Sequence, residues 1–91
     1  MVDYYVGQIL FGVEDYGAAS NYFKYVMNRF PSSRYTEPAN VYWLECWSHA
    51  LYRSPDLALA ECKAFLKRYP NSAYASRVQK LQIICEQANL H

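Results

Sequence analysis

An internal repeat with a period of 39 residues is the feature that most constrains what this chain can fold into. The segment FPSSRY at positions 30–35 recurs as YPNSAY at positions 69–74. The same offset relates positions that are apolar in both copies: Ala19 and Ala58, Phe23 and Cys62, Val26 and Phe65, and Cys46 and Cys85. Repeats of about 20–50 residues are typical of proteins built from stacked supersecondary units, each of which packs on its neighbours.

The spacing of apolar residues indicates that the repeated unit is a pair of helices. Asp15 is a candidate N-cap, and from Tyr16 onward apolar residues recur at spacings of three and four, the period of an α-helix. Pro31 ends this series, because proline disfavours helical geometry at the residue before it. Ser54 and Pro55 form another helix start, with serine as N-cap and proline at the first helical position. The sequence predicts five helices, at about 2–13, 16–30, 36–52, 55–68 and 73–89.

No segment alternates with a period of two, so the predicted fold is all-α and strands are not expected. The 91 residues are enough for a single domain, since domains commonly contain about 100–200 residues. Within it we expect repeat one at about 2–30, repeat two at about 36–69 and a C-terminal capping helix at about 73–89.

The first and fifth helices carry specific expectations about orientation. Tyr5, Ile9 and Leu10 are predicted to lie on one side of the first helix, which has two apolar sides once Tyr4, Val6 and Phe11 are included. Arg77, Lys80 and Gln87 are predicted to point away from the packed side of the fifth helix. Because the first helix lacks the polar cap of a solenoid, we expect its edge to be covered by preceding repeats, by a second copy or by a partner.

Charge and hydropathy exclude several functional classes. The net charge is +1 and no basic cluster is present, whereas nucleic-acid binding normally requires one, so no nucleic-acid partner is expected. No segment reaches the ~20 apolar residues that a membrane span needs, so membrane insertion is not expected. Hydrophobic residues make up 53% of the chain, yet its mean hydropathy is −0.25, because ten of the sixteen aromatic residues are tyrosines with a polar tip. The N-terminus lacks the basic residues of a signal peptide, which favours a cytoplasmic location.

Three cysteines are widely spaced, and they suggest neither a disulfide framework nor a zinc knuckle. Cys46 and His49 are one helical turn apart, and Cys62 is the natural third ligand of a metal or thiol site. No fourth ligand is apparent, so buried thiols are the simpler interpretation. A disulfide between Cys46 and Cys62 remains an alternative under oxidation. No glycine-rich phosphate loop and no set of catalytic residues is present, so we predict no enzyme, no cofactor and no bound metal.

The repeat resembles the tetratricopeptide repeat, whose signature is W-x2-L-G-x2-Y, then A-x3-F, then P. In the first unit Gly7, Leu10, Ala19-x3-Phe23 and Pro31 match this signature, and Asp3 departs from it at the aromatic position. In the second unit the matches are Tyr42, Cys46, Ala58-x3-Cys62 and Pro70, and the departures are Glu45 and His49.

The YWLEC stretch at 42–46 and the YPNS stretch at 69–72 resemble a bacterial envelope subgroup of this family. That subgroup includes the Tol-Pal cell-division coordinator and the outer-membrane lipoproteins of β-barrel assembly. The resemblance implies antiparallel helix pairs in a right-handed superhelical solenoid. It also implies a periplasmic or envelope location if this chain is a domain of such a protein.

In tetratricopeptide folds the first helix of each pair lines a groove that takes peptides or partner helices. The resemblance therefore implies a partner-binding groove or edge, and the candidate residues are Tyr4, Tyr5, Gln8, Phe11, Trp43, Trp47 and His49. Tyrosine and tryptophan are frequent anchors of protein interfaces, although the same rings also pack between adjacent helices. The predicted function is a non-catalytic scaffold that binds a protein or peptide, or further copies of itself. The alternatives are an oligomerisation module of a larger envelope assembly and a metal or thiol site at Cys46, His49 and Cys62.

Overall fold

The computed structural model describes residues 1–49 and 55–89, which form five α-helices and no strand. The helices are α1 (Val2–Gly12), α2 (Tyr16–Arg29), α3 (Thr36–His49), α4 (Pro55–Arg68) and α5 (Ala75–Asn89). The prediction of an all-helical chain with five helices is therefore confirmed for this part of the sequence. None of the helices it contains is long and apolar enough to cross a membrane.

The predicted helix boundaries agree closely with the observed ones. The bounds of α4 are as predicted, and the Asp15 side chain caps α2 by accepting a hydrogen bond from the backbone N–H of Ala18 at 3.4 Å. The fifth helix begins at Ala75, two residues later than predicted, because Ala73 and Tyr74 belong to the preceding turn. The predicted cap at Ser54 and the end of the third helix at 50–52 lie outside the described residues.

The two proline joints have the same hydrogen bonds, 39 residues apart. In the first joint the Ser33 hydroxyl accepts from the N–H of Tyr35 at 3.1 Å, and the Ser33 carbonyl accepts from the N–H of Thr36 at 3.1 Å. In the second joint Ser72 accepts in the same way from Tyr74 at 3.0 Å and from Ala75 at 3.2 Å. The sequence repeat is therefore also a repeat of backbone conformation.

The helices pack mainly on their neighbours in the chain. Among the described residues α1 packs on α2, α2 on α3 and α4 on α5, while α3 also contacts α1, α4 and α5. Positions related by the offset are buried in both copies, as in the pairs Ala19 and Ala58, Phe23 and Cys62, Val26 and Phe65, Ala39 and Val78, and Cys46 and Cys85. One continuous core therefore runs through the helix layers, with equivalent positions filling it in each unit.

One of the two apolar sides of α1 is buried and the other is exposed. Tyr4 and Gly7 are the buried residues of this helix, whereas Tyr5 and Ile9 are exposed to solvent. The side that carries Tyr5 and Ile9 faces solvent, because the close approach of α1 to α2 occurs at Gly7. Gly7 sets the rotation of α1, since the residues on its side of the helix face the protein.

Candidate interaction surface

Tyr4 is the centre of an aromatic cluster between α1 and α3. Its side chain is only 8% exposed, and its ring centroid lies 5.2 Å from that of Tyr35, 6.0 Å from Phe23 and 6.1 Å from Tyr42. Burial raises the pKa of the Tyr4 hydroxyl to about 12. Tyr4 therefore contributes to the core of the protein and offers little area to a partner.

Gln8 links α1 to α3 through two tyrosine hydroxyls. Its side-chain Nε2 donates to the hydroxyl oxygens of Tyr4 and Tyr42, both at 3.3 Å. The Tyr42 ring is stacked on Phe23, with 4.9 Å between centroids and 8° between planes. Gln8 thus holds the tyrosine tips at the surface end of the aromatic cluster, and it is half-buried there.

Phe11 and His49 belong to a second aromatic cluster, which includes Tyr16 at the start of α2. The His49 ring is stacked on Tyr16 at 4.9 Å, and Phe11 meets Tyr16 and Tyr42 edge-on at 5.2 Å each. His49 is exposed and Phe11 is half-buried. The cluster joins the ends of three helices, and its aromatic edges reach the surface.

Trp43 and Trp47 contact each other one turn apart on α3, with 4.9 Å between ring centroids. Trp43 is buried, and the Lys24 ammonium lies 4.3 Å from the centroid of its ring. This arrangement is a cation–π contact between α2 and α3. Trp43 therefore packs between helices, while the half-buried Trp47 keeps part of its ring accessible.

Arg77 connects α5 to α3 and was not among the predicted site residues. Its guanidinium forms an ion pair with Glu45, and its Cζ lies 5.6 Å from the ring centroids of Tyr42 and Tyr74. The prediction that Arg77 points away from the packed side is wrong, because its long side chain reaches across to α3. The sequence offers one signal of this contact. Glu45 is an acid at a position where the chain departs from the tetratricopeptide signature, and an acid there favours a basic partner on a neighbouring helix.

Tyr5, Arg34 and Tyr35 form a polar aromatic group at the base of α1. Arg34 Nη2 donates to the Tyr35 hydroxyl at 3.1 Å, and the Tyr5 and Tyr35 ring centroids are 6.2 Å apart. Hydrogen bonds from the Arg34 guanidinium and the Tyr5 hydroxyl lower the pKa of Tyr35 to about 8. This group places a readily ionised phenol at the surface beside Tyr5.

The outward side of α1 is a continuous row of exposed apolar residues, which we call the α1 outer face: Val2 (76% exposed), Tyr5 (51%), Ile9 (66%) and Val13 (68%). These positions are spaced by three or four residues and lie opposite Tyr4 and Gly7 on the helix. A shallow cleft of about 220 Å³ adjoins α1 on the α2 side and is lined by Asp3, Asn21, Tyr22 and Tyr25. A contiguous exposed apolar patch is a common feature of protein interaction sites.

The proposed metal or thiol residues lie in different surroundings. Cys46 is buried in the core, His49 is exposed against Tyr16, and Cys62 lies beside Cys85. Burial raises the pKa of the Cys46 and Cys62 thiols to about 12. Within residues 1–49 and 55–89, no three His, Cys, Asp or Glu side chains come close enough together to hold a metal ion.

A comparison with protein-family models finds no match for this chain, and searches of curated proteins and of solved structures find none either.

Proposed function

We propose that this chain is a non-catalytic interaction module that binds a protein or peptide partner through the α1 outer face. The observation that carries the proposal is the row Val2, Tyr5, Ile9 and Val13, in which each side chain is at least half exposed. Burying an aliphatic or aromatic side chain contributes about 1.5–3 kcal/mol, so a partner covering this row gains substantial free energy. Contiguous exposed apolar patches on soluble proteins often mark binding sites, which favours this role for the row.

We further propose that the helices form tetratricopeptide-like pairs in a right-handed superhelical solenoid. Two observations support this arrangement: the identical hydrogen bonds at Ser33 and Ser72, and the small residues Gly7 and Cys46, 39 residues apart, at buried positions of α1 and α3. In a solenoid each unit packs on the next, so the α1 outer face is the side of α1 that a neighbouring unit or another partner would cover.

Within this proposal the seven predicted site residues have two roles. Tyr5 is the exposed anchor, and Trp47 and His49 offer partly accessible rings on α3. Tyr4, Gln8, Phe11 and Trp43 instead hold α1 and α2 on α3, so they position the surface rather than touch the partner.

Affinity capture with matched variants tests the proposal. Ile9→Arg places a charge in the middle of the α1 outer face, and it should abolish capture of the proteins retained by the wild type. Ser48→Arg adds the same charge at an exposed position of α3, where the serine bonds only its own helix, and it should leave capture unchanged. Circular dichroism checks that both variants keep their helix content. Equal capture by Ile9→Arg and wild type would refute the role of this face.

A further inference from the structure

A second outward apolar surface lies at the opposite end of the chain, on α5. Ile83 and Ile84 are 55% and 52% exposed, and the exposed residues Lys80, Glu86 and Gln87 lie around them. The buried residues of the same helix, Val78, Leu81 and Cys85, lie on its other side. We call Lys80, Ile83, Ile84 and Gln87 the α5 outer face. The described chain therefore has one uncovered apolar surface on its first helix and another on its last.

The two ends carry opposite charge. Residues 1–23 contain three acids, Asp3, Glu14 and Asp15, and no lysine or arginine. Residues 55–89, which contain α4 and α5, carry five basic residues (Lys63, Lys67, Arg68, Arg77 and Lys80) and three acids (Asp56, Glu61 and Glu86), so their net charge is +2. The net charge of +1 therefore conceals an acidic N-terminal end and a basic C-terminal end. Complementary potentials of this kind favour contacts between unlike ends and disfavour contacts between like ends.

We propose that copies of this chain associate head to tail, with the α5 outer face of one copy seated on the α1 outer face of the next. The inference rests on the proposed function, because it takes the α1 outer face as a docking surface and names a second copy as its occupant. The isoleucines of α5 cover the row that contains Tyr5 and Ile9. In the proposed contact Lys80 of one copy pairs with Asp3 of the next.

The chain already contains the packing relationship that this association would continue. Successive odd-numbered helices contact each other, α1 with α3 and α3 with α5, through Gln8 to Tyr42 and Arg77 to Glu45. An α5 seated against the next α1 extends the same series across the boundary between two copies. A symmetric pairing of two α1 outer faces would instead bring Asp3 and Glu14 of both copies together, and like charges oppose it.

Head-to-tail contact uses two different surfaces, so each added copy leaves one surface of each kind free to bind a further copy. Wild-type chain should therefore form species larger than a dimer as its concentration rises. Because the interface is small, we expect association at protein concentrations of about 0.1–1 mM.

A complementation experiment by analytical ultracentrifugation tests the inference. Ile9→Arg and Ile83→Arg each disable one surface, at positions more than half exposed, so folding should persist. Each variant alone should sediment as the 10.6 kDa monomer at concentrations where the wild type associates. Its association constant should be at least ~10-fold lower than that of the wild type. In their equimolar mixture the intact α5 outer face of Ile9→Arg can bind the intact α1 outer face of Ile83→Arg. The mixture should form dimers and nothing larger, because the two outer faces left free in each dimer both carry the arginine. Ser48→Arg should associate like the wild type.

The outcomes separate this inference from the proposed function. If Ile83→Arg alone forms dimers, the head-to-tail contact is overturned. Its α5 outer face is disabled, so such dimers would indicate a symmetric contact between two α1 outer faces. A wild type that remains monomeric overturns the inference, while loss of a captured partner in Ile9→Arg still supports the proposed function. Self-association that stays intact in Ile9→Arg would overturn the inference alone, since capture of a partner by the same variant tests the proposed function separately.

Discussion

A Cβ atom on Gly7 would lie 2.8 Å from Cε1 of Phe23, closer than side chains approach each other. Gly7→Ala should therefore destabilise the protein by about 1–3 kcal/mol, since the fully buried Phe23 ring must move to make room. Gly12, in the last turn of α1, has open space around it, so Gly12→Ala should be neutral or slightly stabilising. Urea denaturation of both variants measures the difference. A similar loss in both would contradict the steric explanation.

Glu14 has a φ of 66°, in the left-handed region that residues with a Cβ rarely adopt. Left-handed geometry raises the free energy of such a residue in the folded state by about 1–2 kcal/mol. Glycine avoids this strain, but its greater freedom in the unfolded chain offsets part of the gain in stability. Glu14→Gly should therefore stabilise the protein by about 0.5–1 kcal/mol in thermal or urea denaturation. Glu14→Ala removes the charge but keeps the Cβ, and it should give no such gain. A gain from alanine would point to charge instead of backbone strain.

Ser33 and Ser72 are equivalent in the repeat, but only Ser72 has a second partner. Both hydroxyls accept a backbone hydrogen bond, and Ser72 also donates to the Glu37 carboxylate on α3. Ser33→Ala should cost about 0.5–1.5 kcal/mol, and Ser72→Ala should cost more because two bonds are lost. In the Glu37→Gln background the difference between the two alanine variants should shrink. Equal costs in the wild-type background would show that the bond to Glu37 does not stabilise the fold.

Tyr35 should ionise at a lower pH than an ordinary tyrosine, because its pKa is lowered to about 8 from the usual value of 10. The folded state then holds fewer protons than the unfolded state between these values, so this group makes unfolding less favourable as pH rises from 8 to 10. Ultraviolet titration of tyrosinate should show one early phase. That phase should be absent in Tyr35→Phe and shifted upward in Arg34→Gln. An early phase that persists in Tyr35→Phe assigns it to another tyrosine.

The three cysteines should be unreactive in the folded protein, because all are buried and burial raises the pKa of each thiol. Reaction with an aromatic disulfide at pH 8 should be on the order of 100-fold slower than in denaturant, since the thiolate is the reactive form. Counting the released chromophore with and without urea measures this protection. Rapid modification of one thiol under native conditions would show that its site opens locally.

Much of the fold was predictable because its determinants are local. The Asp15 cap, the bounds of α4 and the two proline joints depend on residues within a few positions of one another. The inward series of α2 also follows from its period, since Ala19, Phe23 and Val26 are all buried.

The surface was less predictable, since apolar residues on two sides of a helix do not reveal which side is buried. On α1 both Tyr4 and Tyr5 were candidates for a partner surface, and only Tyr5 is exposed. On α3 the bulky Trp43 and Trp47 were indistinguishable by type, yet Trp43 is buried and Trp47 is partly accessible. Arg77 was assigned to solvent because a charged residue is usually solvated, and its contact with Glu45 spans 32 positions.

The sequence by itself determined the period of 39, the helical character and the hydrogen-bonded joints, because these follow from side chains acting on nearby backbone. Only the tertiary structure decided the rotation of α1, and with it the identity of the exposed row. The physical reason is the contact between Gly7 and Phe23, which permits a close approach of two helices in one orientation. That contact turns Tyr4 inward and leaves Tyr5 and Ile9 on the surface.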